Sequence, residues 1–178
     1  MQKTIKLIAK VYIDGSNIFY TQKQMGWTID WVKTKKYLKR TSKILEFRYY
    51  TGLKVGDKKM KRYLNYLDSI GFVVLTKPLK RIRLKNTRNS SKDSRNQFIY
   101  KANFDVEIAV DILLDRSKIN EIILFSGDSD FSYLVKNIRK LGKTATIFSS
   151  RKTLSWELKL QASQVRYLDD LEGKFKRE

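Results

Sequence analysis

The feature that most constrains the fold is the alternation of short apolar runs with amphipathic stretches along the chain. Five runs have the branched and aromatic content of strands: "AKVYIDG", "ILEFRYYTG", "FVVLTK", "EIILFS" and "TATIFS". The stretches between them, such as "DKKMKRYLNYLDSIG", place apolar residues at helical spacing. This alternation is typical of parallel α/β sheets. We therefore predict a three-layer α/β fold with an open sheet of about five mainly parallel strands, in the order 3-2-1-4-5.

Capping residues delimit the predicted helices. Asp30 is a favoured N-cap for the helix "DWVKTKKYLKR", and Gly142 would stop a helix from about Phe131 to Leu141. Another helix is predicted from about Asp105 to Asp115, and "VRYLDDL" is predicted as a short extended piece near the end of the domain. We expect one domain over residues 1–171, with a basic hairpin or loop insertion at about 77–103 and a short basic tail at 172–178.

Composition excludes several kinds of active site. The 178 residues suit one domain, and they include no cysteine and no histidine. Disulfides, thiol catalysis and thiolate-bound zinc are therefore excluded, and nothing indicates an oxidising compartment. Without imidazole, an active site must use carboxylates, hydroxyls, amides, Lys or Arg.

The N-terminal stretch "MQKTIKLIAKVYIDG" does not resemble a signal peptide, because Lys6 and Lys10 interrupt its apolar residues. No run of about 18 apolar residues is present to span a bilayer. We expect a cytoplasmic protein without a membrane partner. The sequence does not indicate an oligomeric state.

The formal net charge is +20, from 38 Lys and Arg against 18 Asp and Glu. Such a field attracts polyanions through counterion release, and nucleic acid is the first candidate. A generally basic proteome or a solubility effect would explain the same charge.

The basic charge is concentrated between the third predicted strand and the helix that begins near Asp105. Residues 77–101 contain nine Lys and Arg and one acid, Asp93. The alternation in "LKRIRLK" and "QFIYK" predicts a two-stranded ribbon with "NTRNSSKDSRN" at its tip. With nearby Phe98 and Tyr100, this arm suits phosphate contact and base stacking, although a solvated loop without a partner explains it too. The predicted nucleic-acid-binding residues are Lys80, Arg81, Arg83, Lys85, Arg88, Lys92, Arg95 and Lys101.

Acidic residues follow two predicted strands that should be neighbours. Asp14 ends the first strand, Asp128 and Asp130 follow the fourth, and Asp105 begins a helix whose start should face the same edge. Ligands of open parallel sheets bind beyond the carboxyl ends of the strands. Clustered carboxylates repel one another unless a cation lies among them, and oxygen-only ligands favour Mg²⁺ or Mn²⁺.

Each acid also has a structural interpretation. Asp128 and Asp130 are suitable N-caps for the helix that follows them, and Asp105 is suitable for its own helix. Asp14 with Gly15 would form a turn, in which case Asp14 caps no helix. The convergence of three separate caps on one edge is the weaker explanation.

A second group of acids lies on one helix. Glu107, Asp111 and Asp115 are spaced i, i+4 and i+8, which a solvated helix face would explain. Asp111 interrupts "IAV" and "ILL", so we expect it to be half exposed.

The segments "VYIDGSNIFY", "FDVEIAVDILL" and "ILFSGDSDFSYLVKNIRKLGK" resemble, in order, the NYN-domain, LabA-like branch of the PIN-like nucleases. The resemblance runs from about Lys10 to Leu171. It implies a PIN-like or flavodoxin-like Rossmannoid sheet and a metal-dependent ribonuclease site.

The resemblance also assigns roles to matching positions. It implies metal-binding carboxylates at Asp14, Asp105, Asp128 and Asp130, which with Asn17 form the predicted catalytic set. Asn17 would contact substrate or water, and Asp111 would be an outer metal ligand. Many relatives carry Lys-Gly-x-Asp where this chain reads "KANFD", so Asn103 takes the glycine position and the lysine is displaced to Lys101. Since Asn tolerates positive φ, we expect Asn103 to preserve the turn.

The resulting hypothesis is a ribonuclease that uses Mg²⁺ or Mn²⁺ to hydrolyse phosphodiester bonds. The substrate would be single-stranded or structured RNA; DNA remains an alternative, and the resemblance favours RNA. A non-catalytic nucleic-acid-binding or regulatory NYN domain would explain the charge without using the acids. A small-molecule phosphohydrolase would use the acids without the charge, and the chain lacks GxxxxGK[ST] and GxGxxG motifs.

Overall fold

The computed structural model describes residues 6–83, 98–115 and 117–178. The strands are β1 (Ile8–Asp14), β2 (Lys43–Leu53), β3 (Val73–Pro78), β4 (Lys80–Arg83), β5 (Phe98–Lys101), β6 (Glu121–Phe125), β7 (Thr144–Ser149) and β8 (Gln164–Tyr167). The helices are α1 (Gly15–Met25), α2 (Trp31–Thr41), α3 (Lys58–Ser69), α4 (Asp105–Leu113), α5 (Ser132–Lys140), α6 (Trp156–Gln161) and α7 (Glu172–Phe175). No helix in these ranges is long and apolar enough to cross a membrane.

The main sheet has six parallel strands in the order β3-β2-β1-β6-β7-β8. This confirms the predicted α/β class and strand order, since the fourth and fifth predicted strands are β6 and β7. The sixth strand is β8, which was predicted only as a short extended piece. It pairs with β7 at the edge of the sheet, and its alternation of exposed and half-buried residues is a weak strand signal.

Two apolar cores cover the two faces of the sheet. On one face, the ring of Trp31 meets those of Tyr49, Phe72 and Phe125 edge-on at centroid distances of 5.7–5.8 Å. The indole Nε1 of Trp31 donates to the hydroxyl of Tyr63 at 2.7 Å, so its polar atom is satisfied. The other face packs against apolar residues of α4, α5 and α6. Packing on both faces therefore fixes the positions of the carboxyl ends of the strands.

Helix α1 was not predicted, and the expectation that Asp14 caps no helix is wrong. Asp14 is the N-cap of α1, and its carboxylate accepts a hydrogen bond from the backbone N–H of Asn17 at 3.1 Å. Few residues of α1 are buried, chiefly Ile18 and Thr21, so its apolar periodicity is weak. Gly15 is needed at the turn, because a Cβ there would lie 2.6 Å from the carbonyl oxygen of Tyr50.

The segment 172–178, predicted as a short basic tail, contributes to the core. Phe175 of α7 is fully buried, and its ring lies 5.2 Å from that of Tyr37 and 6.2 Å from that of Phe148. Its carbonyl accepts a hydrogen bond from the N–H of Asp30 at 2.6 Å. Because charged residues flank Phe175 in the sequence, no apolar pattern indicates that its side chain is buried.

The base of the predicted basic ribbon is present as an antiparallel pair, β4 with β5. It leaves the carboxyl edge of the sheet after β3 and returns just before α4. Both ends pack on Gly52, where a Cβ would lie 2.2 Å from Leu79 and 2.8 Å from Ala102. Residues 84–97 lie outside the described part of the chain, and with them four predicted nucleic-acid-binding residues: Lys85, Arg88, Lys92 and Arg95. The side chain of Arg83 lies outside it as well.

Candidate metal centre

The carboxyl ends of β1 and β6 bring Asp14 close to the residues that follow β6, because these strands are paired neighbours. The link between them is Ser126, which is fully buried. Its hydroxyl donates to Asp14 Oδ2 at 3.2 Å and accepts from the backbone N–H of Asp128 at 3.2 Å. Sequence reasoning did not identify Ser126, since one serine after a strand carries no distinctive signal.

Three carboxylates form a compact group at this edge. One oxygen each from Asp105, Asp128 and Asp130 lies within 4.8 Å of the others. Asp105 is the first residue of α4, which contacts the 3-10 turn Ser129–Phe131 that contains Asp130. Oxygens at this separation can share one hard cation, and the all-carboxylate donor set fits Mg²⁺ or Mn²⁺.

Asp14 lies beside this group and interacts with it electrostatically. Its pKa is raised to about 6, chiefly by burial and then by the negative charges of Asp105 and Asp128, while the Asn17 N–H and the Ser126 hydroxyl oppose the shift. The pKa of Asp105 is raised too, first by partial burial and then by Asp128 and Asp130. Both carboxylates are therefore destabilised in their charged form when no cation is bound.

None of the four acids belongs to an ion pair in residues 6–83, 98–115 and 117–178. They occupy this position in a chain of net charge +20. Clustered carboxylates without an ion-pair partner repel one another, and a bound metal cation would relieve this repulsion.

The capping interpretation accounts for only some of these acids. Asp128 caps the 3-10 turn by accepting from the N–H of Asp130 at 3.1 Å. Asp130 caps nothing, because α5 begins at Ser132 without a side-chain cap. Asp105 is not a cap either, because it lies inside α4, whose N-cap residue Phe104 makes no side-chain bond. The capping explanation is therefore wrong for Asp105 and Asp130.

Asn17 fixes the backbone that precedes Asp128. Its Oδ1 accepts a hydrogen bond from the N–H of Gly127 at 2.9 Å. On the other side of Gly127, the backbone carbonyl accepts from the N–H of Ser155 at 2.9 Å. A Cβ at Gly127 would lie 2.1 Å from the carbonyl oxygen of Thr153, so only glycine fits. The predicted contact of Asn17 with substrate or water stays a prediction; in the structure its Oδ1 orients the turn.

Asp111 is not brought into the carboxylate group. Its Oδ2 accepts from Arg48 Nη1 and from the Tyr50 hydroxyl, both at 2.7 Å. It lies six residues after Asp105 on α4, about 9 Å along the helix axis. The structure thus places this predicted outer ligand in an ion pair over the sheet.

The other acids of this stripe are paired as well. Asp115 contacts Lys10 Nζ at 2.7 Å and the Tyr12 hydroxyl at 3.1 Å, and it is nearly buried. Glu107 contacts Lys77 Nζ at 2.5 Å. A solvated face is therefore the wrong explanation for Asp111 and Asp115, because their partners belong to strands distant in sequence. Glu107 keeps 44% of its side chain exposed.

The turn before α4 differs from the prediction. No described non-glycine residue has positive φ, so the expectation for Asn103 is wrong. Instead, Asn103 Oδ1 accepts from the N–H of Asp105 at 3.4 Å, a weak bond. The charge of Lys101 still reaches Asp105, where it lowers the pKa against the larger effect of burial.

The base of the arm presents cations and aromatic rings on one face. The Arg81 guanidinium lies 3.5 Å from the centre of the Phe98 ring, and Arg81 pairs with Tyr100 in the ladder. Lys54 Nζ lies 4.9 Å from the centre of the Tyr100 ring. This face combines the residue types that contact phosphates and bases.

Comparisons with known proteins agree with this architecture. The NYN domain model matches residues 9–169. The low amplitude and bright protein LabA of Synechococcus elongatus is 30% identical over 163 residues, which is 90% of this chain and 83% of that protein. A crystal structure of a protein of unknown function from Vibrio parahaemolyticus superposes with a TM-score of 0.74, covering 99% of this chain and all of that one. At 22% identity, that similarity shows the fold alone.

Proposed function

This chain belongs to the NYN-domain family, and from that premise we propose that it is a metal-dependent ribonuclease acting at the carboxyl edge of its sheet. Family membership supports a nuclease-type function in general terms. The observation that carries the proposal further is the group formed by Asp105, Asp128 and Asp130, which has no ion-pair partner among the described residues.

Asp105, Asp128 and Asp130 would hold the cation, with Asp14 beside them. A bound Mg²⁺ or Mn²⁺ would supply Lewis-acid activation of water and neutralise charge on the scissile phosphate. This donor set fits because its members are all carboxylates within reach of one ion. No histidine is required.

The surrounding residues orient these ligands. The Ser126 hydroxyl donates a hydrogen bond to the carboxylate of Asp14 and accepts one from the backbone N–H of Asp128. Asn17 holds Gly127, so both strand ends keep a fixed separation. Pre-oriented carboxylates lose little conformational freedom when a phosphate arrives, which is the protein's main contribution in such sites.

The basic arm would bind the phosphate backbone beside the acids. Lys80 and Arg81 are exposed at its base, and Lys101 lies four residues before Asp105. The family resemblance supports RNA over DNA, in single-stranded or structured form.

A non-catalytic nucleic-acid-binding or regulatory domain is the second candidate. It is favoured by the "KANFD" segment, in which the lysine and glycine found in many relatives are displaced or replaced. Such a domain would keep the charge and the arm without turnover.

The deciding experiment is cleavage of a labelled RNA pool with Mn²⁺, with Mg²⁺ and with EDTA. We expect cleavage with either metal, and none with EDTA or in Asp14→Asn. Asn retains an oxygen that can cap α1, so the variant tests the carboxylate charge rather than the cap. RNA binding without cleavage under every metal condition would establish the second candidate instead.

The arm is tested by charge reversal with a matched control. Changing Lys80 and Arg81 to Glu should weaken RNA binding and reduce the slope of log affinity against log salt by about two, one for each lost phosphate contact. The control changes the exposed Lys36 and Arg40 of α2 to Glu, which alters net charge equally. Equal losses in both pairs would mean that only net charge matters and that the arm is a solvated loop.

A further inference from the structure

Trp156 differs from the other tryptophans in its exposure. Trp27 and Trp31 are 7% and 2% exposed, whereas Trp156, the first residue of α6, is 65% exposed. Only Leu158 of this helix is buried. Within the described residues, the Trp156 ring makes no aromatic stack and no cation–π contact. Tryptophan is enriched at binding interfaces, because its ring offers a large apolar area and its N–H a polar contact.

The backbone places Trp156 close to the carboxylate group. The N–H of Ser155 donates to the carbonyl of Gly127 at 2.9 Å, which joins the residue before Trp156 to the residue before Asp128. Standard backbone dimensions then put the Cα atoms of Trp156 and Asp128 within about 10 Å of each other. Helix α6 also contacts the 3-10 turn that carries Asp130. Trp156 thus lies on an element held against the site.

Trp156 and the arm lie on opposite sides of the acids. The arm leaves the sheet after β3 and is anchored at Gly52 of β2, whereas Trp156 follows β7. Asp14 and Asp128 follow the strands between them, β1 and β6. From β3 to β7 there are four inter-strand spacings, about 19 Å in all. A nucleic-acid strand crossing this edge would contact the arm, the acids and Trp156 in turn.

We propose that Trp156 stacks on a base of single-stranded RNA next to the carboxylate group, on the side opposite the basic arm. This rests on the proposed function only in that nucleic acid lies at this edge. Bases in a duplex have both faces covered by their neighbours, so an exposed indole selects an unstacked base. Every base has such a face, and the contact therefore selects single strands without selecting a sequence.

Tryptophan fluorescence reports this contact, because Trp156 is the exposed member of the three. The protein is titrated in EDTA with a 15-nucleotide RNA that cannot pair with itself, and with the duplex of the same sequence. We expect the single strand to quench the exposed emission more than the duplex does. Trp156→Phe should lose this signal and keep affinity within about twofold, while Trp156→Ala should weaken binding about tenfold or more.

The matched control is Tyr66→Ala, which removes another exposed aromatic ring. Tyr66 lies in the last turn of α3, near the start of β3 and therefore at the opposite edge of the sheet. It should not alter binding. The proposal would be overturned by unchanged RNA affinity in Trp156→Ala, or by an equal loss of RNA affinity in Tyr66→Ala. It would also be overturned if Trp156→Ala changed the oligomeric state and kept its RNA affinity.

Binding in EDTA separates this proposal from the nuclease assignment. If Trp156→Ala weakens binding but the wild type cleaves no RNA with Mn²⁺, the stacking contact stands and the ribonuclease proposal fails. If the wild type cleaves RNA and Trp156→Ala binds normally, the stacking proposal fails alone.

Discussion

The aspartates near the two ends of α4 lie in opposite electrostatic environments. At its start, Asp105 lies with Asp128 and Asp130 and has no ion-pair partner among the described residues. Six residues later, Asp111 is paired with Arg48. Beyond the helix end, Asp115 is paired with Lys10. The two aspartates that pack over the sheet, Asp111 and Asp115, have a cation from a neighbouring strand, whereas Asp105 at the carboxyl edge has no ion-pair partner among the described residues.

The pKa values express the same contrast. Burial alone would raise the pKa of Asp115, but hydrogen bonds from Lys10, Ser117 and Tyr12 outweigh it and hold the pKa well below its usual range. At Asp14 burial prevails, and the pKa rises to about 6. The partners of Asp115 stabilise its negative charge, whereas the charge of Asp14 would need a bound cation to stabilise it.

The largest expected effect is on cleavage. Asp128→Asn should lower Mn²⁺-dependent RNA cleavage about a thousandfold, because the amide lacks the charge that a hard cation needs. Asp111→Asn should keep cleavage within about threefold, since Asp111 lies outside the carboxylate group. Initial rates on the same RNA measure both.

The control for capping is Asp30→Asn, which changes the N-cap of α2 away from the site. Asn and Asp are equally good caps, so it should leave cleavage unchanged. Equal losses in Asp128→Asn and Asp111→Asn would remove the distinction between the two regions.

The next effect is on stability without metal. Asp115→Asn should lower the free energy of unfolding by about 3 kcal/mol, because Lys10 loses its partner in a nearly buried position. Asp105→Asn should leave it unchanged or slightly higher, because repulsion from Asp128 and Asp130 is relieved. Urea unfolding in EDTA measures both, and a comparable loss in Asp105→Asn would contradict the contrast.

Cation binding should stabilise the protein through the carboxylate group and not through Asp111. At a Mn²⁺ concentration of 100 times its dissociation constant, the free energy of unfolding should rise by about 2.7 kcal/mol. Asp128→Asn should abolish this gain, and Asp111→Asn should retain it. Thermal melting with and without Mn²⁺ tests this independently of RNA. A full gain in Asp128→Asn would place the cation elsewhere.

The smallest effect is the pH dependence of the metal-free protein. Since the folded-state pKa of Asp14 is raised from 3.8 to about 6, its contribution to stability falls as pH rises through that interval, by about 2 kcal/mol. The contribution of Asp115 is present above its ordinary pKa of 3.8 and is lost as pH falls towards its lowered value. Asp14→Asn should remove most of the decrease between pH 4 and 6, as measured by urea unfolding across this range, and Asp105, whose pKa is also raised, should account for the remainder. A decrease of undiminished size in Asp14→Asn would contradict the assignment to Asp14.

Sequence patterns predicted the features that depend on local regularity. Five strands of the main sheet, β1, β2, β3, β6 and β7, were identifiable because their runs are rich in branched and aromatic residues. Asp30 was identifiable as an N-cap because it precedes a clear helix. Helix α1 was missed because its buried face is narrow. Strand β8 was identified only as an extended piece, since its edge position leaves it half exposed.

The site was predictable in part, for a related reason. The positions of Asp14 and Asp128 follow from strand order, which the sequence indicates. The pairing of Asp111 does not, because Arg48 is 63 positions away and nothing local links them. Ser126 was missed because its importance depends on two contacts formed only in the folded sheet.

The pairing of β1 with β6 has a consequence for the order of events during protein synthesis. Asp14 and the Ser126 hydroxyl that contacts it are 112 positions apart, so most of the chain is translated before β6 can join β1. Domains generally fold as units, and strand pairing between distant segments is slow. The basic residues of α2 and the arm emerge before residue 126, whereas the carboxylate group forms only after it. A growing chain therefore carries the positive charge of α2 and the arm before its carboxylate group can assemble.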